Sequence, residues 1–338
     1  MTTVGEDDVG YEHVGYDHVG YDHVGYDHVG YDHVGYDHVG YDDEETHMTG
    51  RGTDAAVGRP GPEFIDDLLA LALRFASSGG DVARRMLAEF DTSGLDSRSK
   101  TSATDPVTVI DTSVEQHLRK EIESSRPGDR VLGEEGGEES GSADAPGGRG
   151  GVRWIVDPVD GTVNLLYGIP FTAVSVAAEV DGVVVAGAVH NIVTRETWSA
   201  GLGRGATLRE ADGTSRALRT SACVDLSLSL VGTGFSYDAG IRAEQGRVVA
   251  GLLPRVRDIR RCGSAALDLC MVAGGRLDAY YERGLKPWDY AAGALVAGEA
   301  GAMVTVSDDP AVPTTAASPG VAEDFLGALD HLSAGVNS

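Results

Sequence analysis

The chain has 338 residues, 41% of them hydrophobic, and a formal net charge of −26. That acidity argues against a nucleic-acid partner, whose phosphates require Lys and Arg. No run of 18 apolar residues is present to span a membrane, and no basic-then-apolar leader marks a secretory signal.

In chain order, residues 4–43 form a tandem pentapeptide. It opens with Val4-Gly-Glu-Asp-Asp, continues as VGYDH or VGYEH from Val9 to His38, and closes with Val39-Gly-Tyr-Asp-Asp. Residues 1–47 hold thirteen Asp or Glu and no Lys or Arg, leaving 40 acidic against 27 basic residues in the remainder. One Val and one Tyr per unit cannot offset chain entropy, so residues 1–48 are expected to be a disordered acidic tail. Six evenly spaced histidines, His13 to His38, invite a metal-chelating reading. The blander readings are an expanded low-complexity tail, or an upstream extension with Met48 as the true start.

Residues 49–62 are Gly/Pro/Thr-rich and read as a linker, with the folded part beginning near Glu63. Apolar residues from Phe64 to Leu87 recur at mixed helical spacing, and Gly79-Gly80 is expected to interrupt them. Residues 91–104 read as a loop. Asp111 is placed as the N-cap of TSVEQHLRKEI, with Val114, Leu118 and Ile122 on one face; His117 should face solvent. A short strand, Arg130 to Leu132, ends in GEEGG. A Gly/Ser/Ala-rich loop, 138–151, leads to the strand WIVD.

The strands 171–180 and 182–191 flank Asp181-Gly182, a strong hairpin signal, and 196–203 should be a third antiparallel strand whose Gly201-Leu-Gly-Arg-Gly makes a corner. From about residue 220 the pattern alternates: strand 227–234, helix 239–253, strand 256–260, helix 264–272, strand 277–282, helix 288–299, strand 302–306, helix 321–333. This predicts an α/β (α+β) layered architecture in two subdomains, 63–219 and 220–338. The three cysteines, Cys223, Cys262 and Cys270, are odd in number and lack CxxC spacing. That fits buried thiols in a reducing cytoplasm better than a disulfide scaffold.

The chemistry-bearing segment is Trp154 to Thr162, WIVDPVDGT. An apolar strand delivers Asp157 and Asp160 into a Pro/Gly turn. Carboxylates suit Mg²⁺, which prefers oxygen ligands and shares its coordination with substrate phosphate. A turn entering a helix offers N–H groups to a phosphate. Asp111, Glu134 and Asp289 also sit at element ends beside turn residues. Read alone, Asp111 and Asp289 could be N-caps, and Glu134 and Glu135 solvated loop charge; spacing does not show that these groups converge. No GxSxG, HExxH or GxxxxGK[ST] motif is present.

Taken together, GEE at 133–135, WIVDPVDGTVN at 154–164, and PWDYAAG at 287–293 with EAG at 299–301 resemble the inositol monophosphatase family of Mg²⁺-dependent, lithium-sensitive phosphatases. The wording is closest to actinobacterial members, and the likeness runs from about residue 63 to 335. It implies an αβαβα sandwich of the inositol monophosphatase and fructose-1,6-bisphosphatase type, usually a homodimer, with two or three Mg²⁺ ions per site. Glu134, Asp157 and the Val159 carbonyl would bind the first ion. Asp157, Asp160 and Asp289 would bind the second, and a third would also use Glu134.

By the same resemblance, Glu134 and Thr162 would position the attacking water, with Asp111 hydrogen-bonded to Thr162. The N–H groups of Gly161 and Thr162 would hold phosphate. Asp160, Gly263, Ala265 and Glu282 would contact inositol hydroxyls, and Lys100 would sit on a mobile loop near the metals. The implied substrate is myo-inositol 1-phosphate. Histidinol phosphate, fructose 1,6-bisphosphate and 3′-phosphoadenosine phosphates remain alternatives, as does a regulatory binding protein that has lost turnover. Arg260 and Arg261 could serve a second phosphate, or be structural.

Overall fold

The computed structural model describes residues 60–92, 106–139, 151–307, 309 and 311–334. The pentapeptide repeat, most of the linker and Lys100 lie outside these residues, as does most of the loops expected at 91–104 and 138–151.

Two helices come first, α1 (Pro62–Thr92) and α2 (Pro106–Ser125). Strands β1 (Arg130–Gly133), β2 (Gly137–Glu139) and β3 (Arg153–Asp160) follow. After the single-turn α3 (Thr162–Leu166) come β4 (Ala173–Val180), β5 (Val183–Asn191), β6 (Thr197–Gly201), β7 (Gly205–Arg209) and β8 (Ser215–Ala217). The second half runs β9 (Leu230–Thr233), α4 (Ala239–Leu252), β10 (Asp258–Arg260), α5 (Ala265–Ala273) and β11 (Ala279–Glu282). It ends with α6 (Pro287–Glu299), β12 (Met303–Thr305), β13 (Thr314–Ala317) and α7 (Ala322–Ala334).

Strands β1 to β8 form one sheet in the order β2-β1-β3-β4-β5-β6-β7-β8, and the others a second in the order β10-β9-β11-β13-β12. Three apolar clusters define five layers. Phe75, Leu68 and Leu118 from α1 and α2 cover one face of the first sheet around Trp154 and Val156. Its other face, with Ile155 and Trp198, packs on α5 and α6, which also meet Tyr280 of the second sheet. That sheet's outer face, with Val231 and Tyr281, is closed by α4 and α7 through Leu252 and Phe325. The order αβαβα is the one expected. Because β3 is covered on both faces, it reads as a continuous apolar run rather than an alternating one.

Several local expectations are corrected. Gly79-Gly80 does not interrupt α1, which is continuous. A Cβ on Gly79 would stand 3.2 Å from Leu118 and Val174, and one on Gly80 would stand 2.4 Å from His190. The pair lets the helix approach its neighbours closely, which compensates for glycine's low helix propensity. Asp111 is not an N-cap, since α2 starts five residues earlier at Pro106. His117 is half-buried, 2.8 Å from Ser78 Oγ, rather than facing solvent. The first sheet is mixed, with β1 parallel to β3, and β2, β8 and β13 had no clear sequence signal. Asp181-Gly182 does form a tight hairpin, with φ of 51° and 81° matching a type I′ turn. Gly201 to Gly205 is a corner, its Gly203 and Gly205 N–H groups donating to Glu299 at the end of α6.

Trp154 anchors the first sheet to α1. It is fully buried, packs edge-on to Phe75 at 5.1 Å, and donates from Nε1 to Asp129 at 2.9 Å. Trp154→Ala should destabilise the domain by about 3–5 kcal/mol, read as a lower midpoint in chemical denaturation at an unchanged slope.

Candidate active site

On a regular strand, residues three apart point to opposite faces. Asp157 and Asp160 nevertheless line the same cleft. The register of β3 against β4 shifts between them, with Pro158 inside the shift, a position where the ladder needs no N–H. The irregularity turns the end of β3 into a platform for two carboxylates. Gly161 follows with φ 90°, and a Cβ there would lie 2.9 Å from the Phe171 carbonyl. Its successor Thr162 opens α3, where N–H groups lack intrahelical partners.

Each acidic side chain is anchored on one oxygen. Asp157 Oδ1 accepts from Val159 N–H at 2.9 Å. Asp160 Oδ2 accepts from Ser264 Oγ at 2.6 Å and Ala266 N–H at 2.8 Å, joining β3 to the start of α5. Asp289 Oδ2 accepts from Lys286 N–H at 2.6 Å. It sits at the third position of α6 rather than at the N-cap, which is Lys286. Glu134 belongs to the exposed turn between β1 and β2, but its carboxyl lies in the cleft, in hydrogen-bond reach of Asp157. Glu282 accepts from Tyr280 Oη at 2.6 Å. Thr162 Oγ1 donates to the Val159 carbonyl at 2.9 Å.

The cleft, of about 290 Å³, brings together Glu134, Asp157, Val159, Asp160, Gly161, Thr162, Gly263, Ala265, Glu282 and Asp289. Asp111 does not line it and is buried within α2, 3% exposed. Arg261 lines the cleft, whereas Arg260 turns to Asp258 on its own strand. Three features had no sequence expectation. Phe235, Tyr237 and Ile241 form an apolar rim. Arg283 joins the lining. Glu115, 2% exposed, binds the turn that carries Glu134. Glu115 was findable: Asp111 and Glu115 share the α2 face of Leu118 and Ile122 at spacings of four, three and four, placing charge on an apolar stripe.

Burial dominates the electrostatics. It pushes the Asp157 carboxyl, 1% exposed, well above the usual range, with Asp160, Glu134 and Asp289 adding repulsion. Burial likewise raises Asp289 to about 8, Glu282 to about 7 and Asp160 to about 6, the last despite the Ser264 and Ala266 hydrogen bonds that oppose the rise. Glu134 is also raised, by burial and then by Glu135 and Asp160. Desolvated, mutually repelling carboxylates of this kind fit a cation. The donors are all oxygens, the set that Mg²⁺ takes. Among the described residues no three carboxylate, imidazole or thiolate side chains close around one point. Backbone carbonyl, water and substrate oxygens would therefore complete any ion's shell, as is usual for Mg²⁺.

Comparison with known proteins agrees with this geometry. Residues 65–331 match the model of the inositol monophosphatase family. The chain is 50% identical over 240 residues to the inositol-1-monophosphatase SuhB of Mycobacterium tuberculosis, covering 70% of this chain and 82% of that protein. It is 36% identical over 244 residues to the Nus factor SuhB of Pseudomonas aeruginosa, covering 71% and 86%. The solved structure of Mycobacterium tuberculosis SuhB superposes with a TM-score of 0.68 at 44% identity, over 79% of this chain and 97% of that one.

Proposed function

The chain belongs to the inositol monophosphatase family, and from that premise we propose that it is a Mg²⁺-dependent phosphomonoesterase that releases phosphate from myo-inositol 1-phosphate. One observation carries the reading: carboxylates from β3, β11, α6 and the β1–β2 turn converge on one cleft and outnumber the two guanidinium groups, Arg261 and Arg283, in its described lining. Phosphate monoesters are among the slowest esters to hydrolyse uncatalysed, and enzymes accelerate the reaction by up to ~10²¹. Bound Mg²⁺ would supply the positive charge that acidifies an attacking water and neutralises phosphate oxygens.

Under this reading, Glu134, Asp157 and the Val159 carbonyl would hold one ion; Asp157, Asp160 and Asp289, which line the cleft without closing around one point, would be drawn onto a second, with Glu134 available to a third. Asp157 and Asp160 each commit one oxygen to the protein, which fixes the direction of the other. Glu134 and Thr162 hold the attacking water in line with the phosphate. The N–H groups of Gly161 and Thr162 hold the phosphate oxygens, an arrangement in which positioning and charge do most of the catalysis. Asp111 would orient Thr162 from inside α2 once the Thr162 hydroxyl turns from the Val159 carbonyl, to which it donates in this structure. Asp160, Gly263, Ala265 and Glu282 receive the hydroxyls of the leaving alcohol. The cleft suits a small polyol, since only hydroxyl contacts can read an uncharged ring.

The catalytic unit is proposed to span 63–338 and to work as a homodimer in the cytoplasm. Membership of a family whose members are usually homodimers supports the dimer, and three unpaired cysteines support a reducing compartment. No helix among the described residues is long and apolar enough to cross a membrane. Removing residues 1–47 should leave kcat largely unchanged, because the family match begins at residue 65 and every described residue lining the cleft lies after it.

The test is phosphate release from inositol 1-phosphate, histidinol phosphate, fructose 1,6-bisphosphate and 3′-phosphoadenosine 5′-phosphate, with and without Mg²⁺. Mg²⁺-dependent turnover led by inositol 1-phosphate is the expected result, and turnover led by another ester moves the substrate assignment. The Pseudomonas relative's name, Nus factor, favours one second reading, a regulatory binding protein. Absence of turnover on every ester by a folded, Mg²⁺-loaded protein would select it.

A further inference from the structure

The β1–β2 turn offers Glu134 to the cleft, and a short exposed turn is ordinarily a poor holder of a ligand. Here it is held from behind. Glu115 of α2 reaches the turn with both carboxylate oxygens: Oε2 accepts from Glu135 N–H and Oε1 from Gly136 N–H, each at 2.8 Å. Arg119, one helical turn on, donates from Nε to Glu115 Oε1 at 2.9 Å. Its Nη2 donates to the Gly137 carbonyl at 2.7 Å. The two side chains therefore clasp the residues that directly follow Glu134, binding N–H groups on one side and a carbonyl on the other.

The glycines of GEEGG fit this clasp. A Cβ on Gly133 would fall 2.5 Å from the Glu115 carboxyl carbon, and one on Gly136 would fall 2.8 Å from Glu115 Oε1 and 2.9 Å from Arg119 Nη2. Neither Gly133 nor Gly136 has a positive φ, so space rather than backbone conformation excludes a side chain there. An ion pair serving only to brace a sheet edge would not need two backbone N–H groups next to a cleft carboxylate.

We propose that Glu115, locked by Arg119, is a positioning residue that sets the reach of Glu134 into the cleft and thereby the affinity of the site for Mg²⁺. This rests on the metal-dependent reading above. Charged hydrogen bonds in a largely buried setting are strong and directional, and residues that orient metal ligands cost about 10–100-fold in affinity when replaced. Glu115→Gln keeps the shape and one acceptor, but it loses the second acceptor and the charge that holds Arg119. Gly136→Ala pries the same contact from the turn side without altering α2.

The experiment is calorimetric Mg²⁺ titration of the metal-free full chain and of both variants, with thermal unfolding of each metal-free protein and kcat measured across Mg²⁺ concentration. We expect both variants to bind Mg²⁺ about tenfold or more weakly. Both variants should melt below the parent, because each weakens a largely buried ion pair, while staying folded at the titration temperature, and kcat should largely recover at saturating Mg²⁺. Mg²⁺ affinity within twofold of the parent in either folded variant overturns the positioning role. Weakened affinity with kcat that never recovers also overturns it, because the defect would then lie in the chemistry. If Glu115→Gln does not fold, Gly136→Ala decides alone. If the unaltered chain itself binds no Mg²⁺, the function assignment fails instead, and the two failures are separated.

Discussion

Asp157→Asn should remove turnover while making the metal-free protein more stable. Groups that merely orient metal ligands cost about 10–100-fold when lost, so removing a ligand shared by two ions should lower kcat by about a thousandfold or more. Stability moves the other way. Asp157 is 1% exposed, and burial makes its ionised form unfavourable before Asp160, Glu134 and Asp289 add their repulsion. Asparagine has the same outline, its carbonyl can still accept the Val159 N–H, and its amide can donate to Glu134. Each unit by which a buried carboxyl is raised corresponds to about 1.4 kcal/mol, and 1 kcal/mol moves a domain of this size by about 2–4 °C. Metal-free Asp157→Asn at pH 8 is therefore expected to melt a few degrees above the parent, by calorimetry. A melting temperature equal to or below the parent's would mean that Asp157 is not a strained buried charge. Retained turnover at saturating Mg²⁺ would remove it from the ligand set.

A layered α/β architecture followed from patterns that are local: amphipathic helices first, the Asp181-Gly182 hairpin, then alternating strands and helices; the five-layer order came only from the family resemblance. What was not legible depended on partners distant in the chain. Gly79-Gly80 looked like an interruption because helix propensity is summed locally, whereas their value lies in contact with Leu118, Val174 and His190. Strand β13, TTAA, has too little apolar character to announce itself, and it forms only because it lies between β11 and β12. Asp111 was misplaced because an Asp before a helical stretch reads as a cap, while the true start at Pro106 lies in a segment with little amphipathic pattern.

The site divided in the same way. Asp157, Asp160 and Asp289 were visible because each interrupts an apolar element beside a turn residue. Their convergence was not, since it requires the register shift in β3 and the docking of Asp160 on the first residues of α5. Glu115 was passed over because a helix facing inward was read for its apolar residues alone. The apolar rim of Phe235, Tyr237 and Ile241 comes from a connection whose sequence carries no periodicity.

Metal-free protein should lose stability as pH rises from 6.5 to 8.5, and Mg²⁺ should restore it, more strongly at the alkaline end. The folded protein holds Asp289 near 8 and Asp157 well above the ordinary range, chiefly through burial, whereas an unfolded Asp titrates near 3.9. Across this window the native state therefore binds more protons than the unfolded state, and stability falls with rising pH. The contribution is full below the unfolded pKa and is lost as pH passes through the folded values. His190, held neutral at about 4 by burial, acts in the opposite sense, but mainly below pH 6.5. The thiols Cys262 and Cys270, pushed up by burial, would act in the same sense only towards higher pH, which sets the upper limit. A cation reverses the trend because it replaces the protons that the ionised carboxylates have lost. At a hundred times its dissociation constant Mg²⁺ adds about 2.7 kcal/mol, or about 5–10 °C. Thermal unfolding at four pH values, with chelator or with Mg²⁺, separates these effects. A melting temperature in chelator that is flat or rising across the window would contradict the buried-carboxylate account. A Mg²⁺ shift that shrinks as pH rises would count against binding at this cluster, where protons and Mg²⁺ compete for the same oxygens.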